Sequence, residues 1–341
     1  MPLNEIWFVI VAFLFVGYFV LDGFDFGVGM ALPFVSKDDT DRRVVINTIG
    51  PIWDLNETWV IVAGAALFAA FPEWYASLFS GFYLALFLLL LALIARGVAF
   101  EYRGKGDSSR WKNTFDWMIV VGSALPALLW GVAFANIVQG VPLDENFNFV
   151  GYDIPLIGGL LVLLNPYAIL GGLVTLTLFF THGLIFLTMK TEGEIKERSR
   201  VLATKVGLVA TLFAAVFLVW TLLEHPTLPG LVLSGLAAVT LIGSLIFNLV
   251  GREGIAFSMV VVTVITAVSS LFVALFPNVL PSTISDAYSL TVQNASSSDY
   301  TLQVMTWVAA FMIPFVLVYQ SWTYWVFRKR VRRDQIPAHA H

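Results

Sequence analysis

The residues best suited to chemistry are acids in stretches otherwise apolar enough to sit in lipid. The first such stretch contains Asp22-Gly23-Phe24-Asp25-Phe26-Gly27-Val28-Gly29-Met30. An Asp at the centre of a membrane helix costs roughly 2.5–3.5 kcal/mol on insertion scales. Each therefore needs a partner, a cavity or another subunit to face. The i, i+3 spacing puts Asp22 and Asp25 on neighbouring positions of one helix face. Gly23, Gly27 and Gly29 allow a second helix to approach closely. Two readings stand: a proton relay or ion site, and a pair of buried acids hydrogen-bonded at a helix interface.

A second group opens the next apolar stretch, Pro51-Ile52-Trp53-Asp54-Leu55-Asn56-Glu57-Thr58-Trp59. Pro51 suits a first helical turn, where its missing N–H is no loss. Asp54 and Glu57 are favourable near the positive end of the helix dipole. Capping electrostatics with an interfacial tryptophan belt is thus the plain structural reading. Glu57 and Trp59 nevertheless lie deeper than capping requires, and Asp54 and Glu57 share a face. Arg96, late in the third apolar stretch, either snorkels to the interface or pairs with Asp54 or Asp25, which lie at a similar depth. Either acid fits.

The absences are also informative. The chain has no cysteine and four histidines, His182, His225, His339 and His341. Thiolate metal sites and iron–sulfur clusters are excluded. One buried histidine cannot supply two imidazole ligands to a haem. His182 is read as a hydrogen-bonded helix-interface residue. No metal site is expected, and no phosphate loop or serine nucleophile elbow appears.

These residues must be positioned by membrane helices. Of 341 residues, 58% are hydrophobic and 12% charged, against roughly 25% charged in soluble domains. A span needs about 20 apolar residues. Nine stretches qualify, approximately 6–32, 52–71, 77–100, 117–137, 164–189, 201–223, 231–250, 255–276 and 302–327. The first lacks a basic flank and a small-residue cleavage site, and is read as a retained span. The expected fold is all-α: one polytopic transmembrane domain, 1–341.

All 19 Lys and Arg residues fall in or beside the odd-numbered loops and the C-terminal tail. Basic residues mark the cytoplasmic side, so the N-terminus is expected outside and the C-terminus in the cytoplasm. The first span then runs inward. At 1.5 Å per residue, Asp25 lies roughly 10 Å from its inner end.

The run Asp22 to Met30 closely resembles the first-helix signature of subunit II of cytochrome bd-type quinol oxidases. Gly50-Pro-Ile-Trp-Asp-Leu-Asn-Glu-Thr-Trp59, Ala65-Ala-Leu-Phe-Ala-Ala-Phe-Pro72, Gly131-Val-Ala-Phe134, Gln139-Gly-Val-Pro142, Met305-Thr-Trp307 and Ser321-Trp-Thr-Tyr-Trp325 are similar to it as well. The similarity spans the chain in order and is strongest to an actinobacterial-like branch, which implies menaquinol rather than ubiquinol.

The resemblance implies a haem-free subunit in a bacterial cell membrane. It pairs with a subunit I that carries haem b and haem d. The complex oxidises quinol and reduces O2 to water with cytoplasmic protons, without pumping. It further implies a proton path through Asp54, to which Asp25, Asp22, Glu57 and Thr58 are joined here. Trp59 borders an O2 route, and a structural quinone lies near Trp53, Asp54 and Arg96. Lipid and a small single-helix accessory peptide are further partners. No nucleic acid is expected. The family pattern often has Gly at position 55 and a hydrophobic residue at 58, so Thr58 either adds a hydroxyl to the relay or narrows the O2 route.

A relay acid works best with its pKa near neutrality. Burial raises a carboxyl pKa and a nearby Arg lowers it, so Asp54 is expected to be buried beside Arg96. Two other readings remain: an ion-coupled secondary transporter, with the acids as a coupling-ion site, and a purely structural scaffold subunit.

Overall fold

Twelve helices account for nearly all regular structure in the computed structural model, which describes residues 1–151 and 157–336. In chain order they are α1 Leu3–Val35, α2 Asp39–Ile49, α3 Trp53–Ala70, α4 Pro72–Gly81, α5 Tyr83–Tyr102, α6 Ser109–Gln139, α7 Gly158–Leu163, α8 Pro166–Lys190, α9 Gly193–Glu224, α10 Leu228–Val250, α11 Glu253–Leu275 and α12 Asp299–Val326. Among the described residues, α1, α5, α6, α8, α9, α10, α11 and α12 are each long and apolar enough to cross a membrane. The pair α2 and α3, bent by 45° at its break, makes a ninth. His339 and His341 lie outside the described residues.

Helix ends follow local chemistry. Asn165 accepts a hydrogen bond from the Ala168 N–H at 2.9 Å, with Pro166 in the first turn of α8. Asp38 caps α2 through the Asp41 N–H at 2.9 Å. Such side chains satisfy N–H groups that a helix start leaves orphaned. Pro51 sits in the turn between α2 and α3 rather than in a first helical turn, because α3 begins at Trp53. A proline has no N–H with which to continue α2, so the helix stops and bends there.

α1 is the centre of the bundle. It packs against α3, α6, α8 and α11, while α5–α6, α8–α9 and α10–α11 pair as sequence neighbours. The outer surface is apolar, with Leu208, Leu212, Val239 and Leu249 exposed, as expected where lipid is the solvent. Small residues set the contacts. A Cβ added to Gly27 of α1 would lie 2.6 Å from the Gly183 backbone nitrogen of α8. The two backbones touch, and no side chain fits between them. Gly27→Val is expected to cost at least the roughly 1–3 kcal/mol of an overpacked core. A lower unfolding temperature of the detergent-purified protein would show it, and an unchanged one would refute the contact.

The end of the bundle that carries the basic residues is laced by ion pairs. Arg103 bonds Asp116 at 2.5 Å and Asp39 at 2.8 Å, and Arg42 bonds Asp116 at 2.8 Å. The tail docks here as well: Arg333 reaches Asp41 at 2.7 Å and Asp38 at 2.5 Å. The Asp41 backbone N–H and Arg333 hold the Asp38 carboxyl below the usual carboxylate range. At the opposite end, β1 (Asn278–Leu280) pairs antiparallel with β2 (Leu290–Thr291), and the Ser297 hydroxyl donates to the Ala69 carbonyl at 2.6 Å.

α12 is the least embedded span. It touches α1 and α3, and only Leu302, Gln320 and Thr323 of its length are buried. Its outer face carries exposed Trp307, Phe311, Phe315, Trp322 and Trp325.

Candidate functional site

The acids of α1 sit on its unbroken helical length, one turn apart, facing α5 and α3. Asp22 and Arg96 form an ion pair at 2.8 Å, with both side chains fully buried. The guanidinium lies 4.5 Å from the centre of the Phe26 ring and 5.7 Å from that of Phe100. Such cation–π contacts are strongest when desolvated. Arg96 Nε and Nη1 have no hydrogen-bond partner within the chain. The partner of Arg96 is thus Asp22, rather than Asp54 or Asp25. All three acids lie at a similar depth, and the rotation of α1 decides among them.

Asp25 is held differently. Its Oδ2 accepts a 2.7 Å hydrogen bond from Asn56 Nδ2, while Oδ1 has no partner. Asn56 also donates to the Leu21 carbonyl at 3.2 Å. Its Oδ1 accepts from Gln320 Nε2 at 3.2 Å and from the Tyr324 hydroxyl at 2.8 Å. Trp59 Nε1 donates to Gln320 Oε1 at 2.8 Å. Three helices, α1, α3 and α12, thereby share one hydrogen-bond chain.

Glu57 is half-buried, with Oε2 lacking a partner. Its charge interacts with Arg96, Asp22 and Asp54. Asp54 is exposed, which corrects the expectation that it is buried. It projects from the outer face of α3, one turn before Thr58, whereas the buried positions of that helix are Asn56, Trp59 and Ala63.

His182 is fully buried, as expected of an interface residue, but neither ring nitrogen has a hydrogen-bond partner. It is boxed instead by Phe24, at 5.6 Å between ring centres, and Phe257, at 5.2 Å. Among the described residues no group of three or more His, Cys, Asp or Glu is placed to hold a metal ion.

The family described as cytochrome bd terminal oxidase subunit II matches residues 3–327. This chain belongs to that family. Cytochrome bd ubiquinol oxidase subunit 2 of Bacillus subtilis is 42% identical, with 98% of each chain covered. Cytochrome bd-I ubiquinol oxidase subunit 2 of Escherichia coli K12 is 37% identical, over 99% of this chain and 98% of the relative. In fold, the chain is similar to one in the solved bd oxidase of Geobacillus thermodenitrificans. The TM-score is 0.74 at 15% identity, covering 96% of this chain and 100% of the other.

In this subunit II the remaining motif residues fall into two groups. Thr58 and Trp59 line a groove of about 460 Å³ between α1, α3 and α12, walled by Phe13, Val62, Met312 and Gln320. The Thr58 hydroxyl donates back to the Leu55 carbonyl at 2.6 Å, so it is spent within its own helix. Trp53, Asp54 and Arg96 form the second group. The Trp53 ring lies 5.2 Å from that of Phe100 and packs over Gly97, next to Arg96. A tryptophan ring, the carboxylate that follows it in the chain, and two guanidinium nitrogens without a partner are the kinds of group that a quinone ring and its carbonyls would take. The Arg96 side chain is itself fully buried, so Trp53 and Asp54 are the two accessible members.

Sequence reasoning did not single out Asn56, Gln320 or Tyr324 as site residues. Asn56 stood inside the quoted Trp-Asp-Leu-Asn motif. Gln320 is an amide deep in a mostly apolar span, far from the Gln303 near the start of the same helix, and a polar group at membrane depth is itself a functional signal. Tyr324 offered no such signal, because tyrosine is common at membrane interfaces.

Proposed function

We propose that this chain is the haem-free subunit II of a cytochrome bd-type quinol:O2 oxidoreductase in a bacterial cytoplasmic membrane. Its partner, subunit I, carries haem b and haem d, where quinol is oxidised and O2 is reduced to water. Lipid and a small single-helix peptide complete the assembly, and the quinone is menaquinone rather than ubiquinone. The basic end of the bundle is the cytoplasmic end, leaving the N-terminus outside and the single transmembrane domain inward-facing at its acids. The energy conserved comes from the side on which protons are consumed, without pumping.

The observation that carries the reading is the cluster of Asp22, Asp25 and Glu57 around Arg96, near the basic end of the bundle. Oxygen reduction consumes protons at a buried centre, and protons cross apolar protein only by hopping between polar groups. Asp54 and Glu57, on one face of α3, take protons toward the buried pair. Asp25 holds a proton on Oδ1, because Oδ2 is occupied by Asn56. Asp22 and Arg96 keep the local charge balanced. Trp59 and the apolar groove beside it form the route for O2, which is small and apolar. Trp53 and Asp54 would hold a quinone ring, with Arg96 beneath.

Subunit I docks on the face made by α3 and α12. That face is rich in exposed aromatics, the residues enriched in interface cores. It also accounts for the exposure of Asp54: the carboxylate faces the partner subunit rather than lipid. A transporter would set its ion site on broken helices, whereas α1 is continuous through both acids.

Asp54→Asn is expected to slow steady-state O2 consumption by the assembled complex while leaving the haem absorbance intact. Full activity in that variant would remove Asp54 from the path and favour a scaffold role for this region.

A further inference from the structure

The hydrogen-bond chain between Trp59 and Asp25 has a polarity that its two ends dictate. An indole N–H can only donate, and a backbone carbonyl can only accept. Trp59 Nε1 donates to Gln320, so the Gln320 amide must turn its oxygen to the ring and its NH2 to Asn56. The Leu21 carbonyl accepts from Asn56, so the Asn56 amide must turn its NH2 toward α1. Neither amide can flip without breaking a bond. Every donor therefore points the same way, from Trp59 through Gln320 and Asn56 to Asp25 Oδ2. Hydrogen bonds in such a series polarise one another. Trp59, Gln320, Asn56 and Asp25 are all buried, so no solvent dilutes the effect.

The same chain locks the Trp59 ring. Gly17 of α1 lies under its six-membered edge, where an added Cβ would overlap Cζ3 and Cε3. Phe13 meets it edge-on at 5.9 Å. Packing thus limits the ring on one side, and the bond to Gln320 sets its tilt on the other, at the polar end of the groove between α3 and α12.

We propose that Gln320 and Asn56 are positioning residues: they fix Trp59 at the end of the apolar groove and join it, by one polarised chain, to Asp25. The protein thereby couples the group that borders the O2 route to the group that carries a proton. Asp25 Oδ2 is permanently an acceptor, so the proton arrives at and leaves from Oδ1. This rests on the proposed roles of Trp59 and Asp25, and the test separates the two levels.

The assembled oxidase is used throughout. The rate of O2 capture by the reduced complex and the turnover at saturating O2 are measured for Trp59→Phe, Gln320→Met, Asn56→Leu and the Gln320→Met/Asn56→Leu pair. Trp59→Phe is expected to change capture. Gln320→Met is expected to change it in the same direction, by roughly two- to tenfold, the worth of one hydrogen bond, and by more than it changes turnover. Asn56→Leu should change capture when Gln320 is present and add nothing to it in the Gln320→Met background, because the link is already cut.

Infrared difference spectra supply an independent readout. The carboxyl band that disappears in Asp25→Asn should shift in Gln320→Met, although Gln320 does not touch Asp25. Tyr324→Phe, which removes a second donor to Asn56, should shift the same band. If Trp59→Phe alters capture and Gln320→Met does not, the coupling is overturned and the O2 route stands. If Trp59→Phe leaves capture unchanged, the O2-route reading falls and the coupling with it. A carboxyl band unmoved by both Gln320→Met and Tyr324→Phe also overturns the proposal, even if one of these variants assembles poorly.

Discussion

Arg96→Met is expected to destabilise this subunit by about 3–5 kcal/mol, the cost of leaving one partner of a buried ion pair uncompensated. Arg96 and Asp22 meet at 2.8 Å with no exposure of either side chain. Methionine occupies similar length against Phe26 and Phe100 but leaves the Asp22 charge stranded in apolar surroundings. Loss of the assembled complex, or a large drop in its unfolding temperature, would report this. The companion test is Arg96→Met/Asp22→Asn. A well-packed neutral pair is often as stable as a buried ionic one, so the double variant should recover most of the loss. A double variant as unstable as the single one would show that Arg96 stabilises through contacts other than Asp22.

Asp25→Asn should behave in the opposite way. The amide is isosteric and can still accept the Asn56 hydrogen bond now made to Oδ2, so packing survives. Removing an acid from membrane depth costs nothing in insertion, and stability should be equal or slightly higher. Turnover is another matter, because in the proposed relay the atom that holds the proton is gone. Oxygen consumption at saturating quinol and O2 should fall roughly a hundredfold, the lower end of what positioned proton transfer contributes, with the haem absorbance unchanged. The two substitutions thus separate an acid that holds the bundle from one that, in the proposed relay, carries protons. Full turnover in Asp25→Asn would make Asp25 a structural residue.

The contrast follows from how the two acids are held. Asp22 has a full countercharge, whereas Asp25 has one neutral amide donor on one oxygen and none on the other. A fully compensated carboxylate has little reason to exchange a proton. A carboxylate with one free oxygen has an atom at which to do so. The exposed Asp54 belongs to neither class in this chain alone. Its surroundings are completed by whatever covers the outer face of α3, and in the proposed complex that is subunit I.

Much of this protein was legible before any fold was known. Hydropathy is a property of composition within a window, so the apolar stretches and the acids inside them could be read residue by residue. The run from Asp22 to Met30 and the run from Gly50 to Trp59 carried the family, because they combine residue types that lipid disfavours with glycines that close packing needs. Depth was legible too, since rise per residue is constant along a helix.

What depth could not decide was azimuth. Asp22, Asp25 and Asp54 lie at similar heights, and which of them meets Arg96 depends on how α1 is rotated. That rotation is set by backbone contact between Gly27 and Gly183, residues far apart in sequence whose pairing no local pattern encodes. The same holds for Asp54, exposed because the core-facing side of α3 is taken by Asn56, Trp59 and Ala63. The chain from Trp59 to Asp25 needed a helix that begins more than 200 residues later: Gln320 and Asn56 are 264 positions apart. The sequence determined that acids would lie buried near the basic end of a helical membrane bundle. Only tertiary packing determined which acid is neutralised, which keeps a free oxygen, and which faces outward, because those outcomes depend on side-chain direction between helices rather than on composition along them.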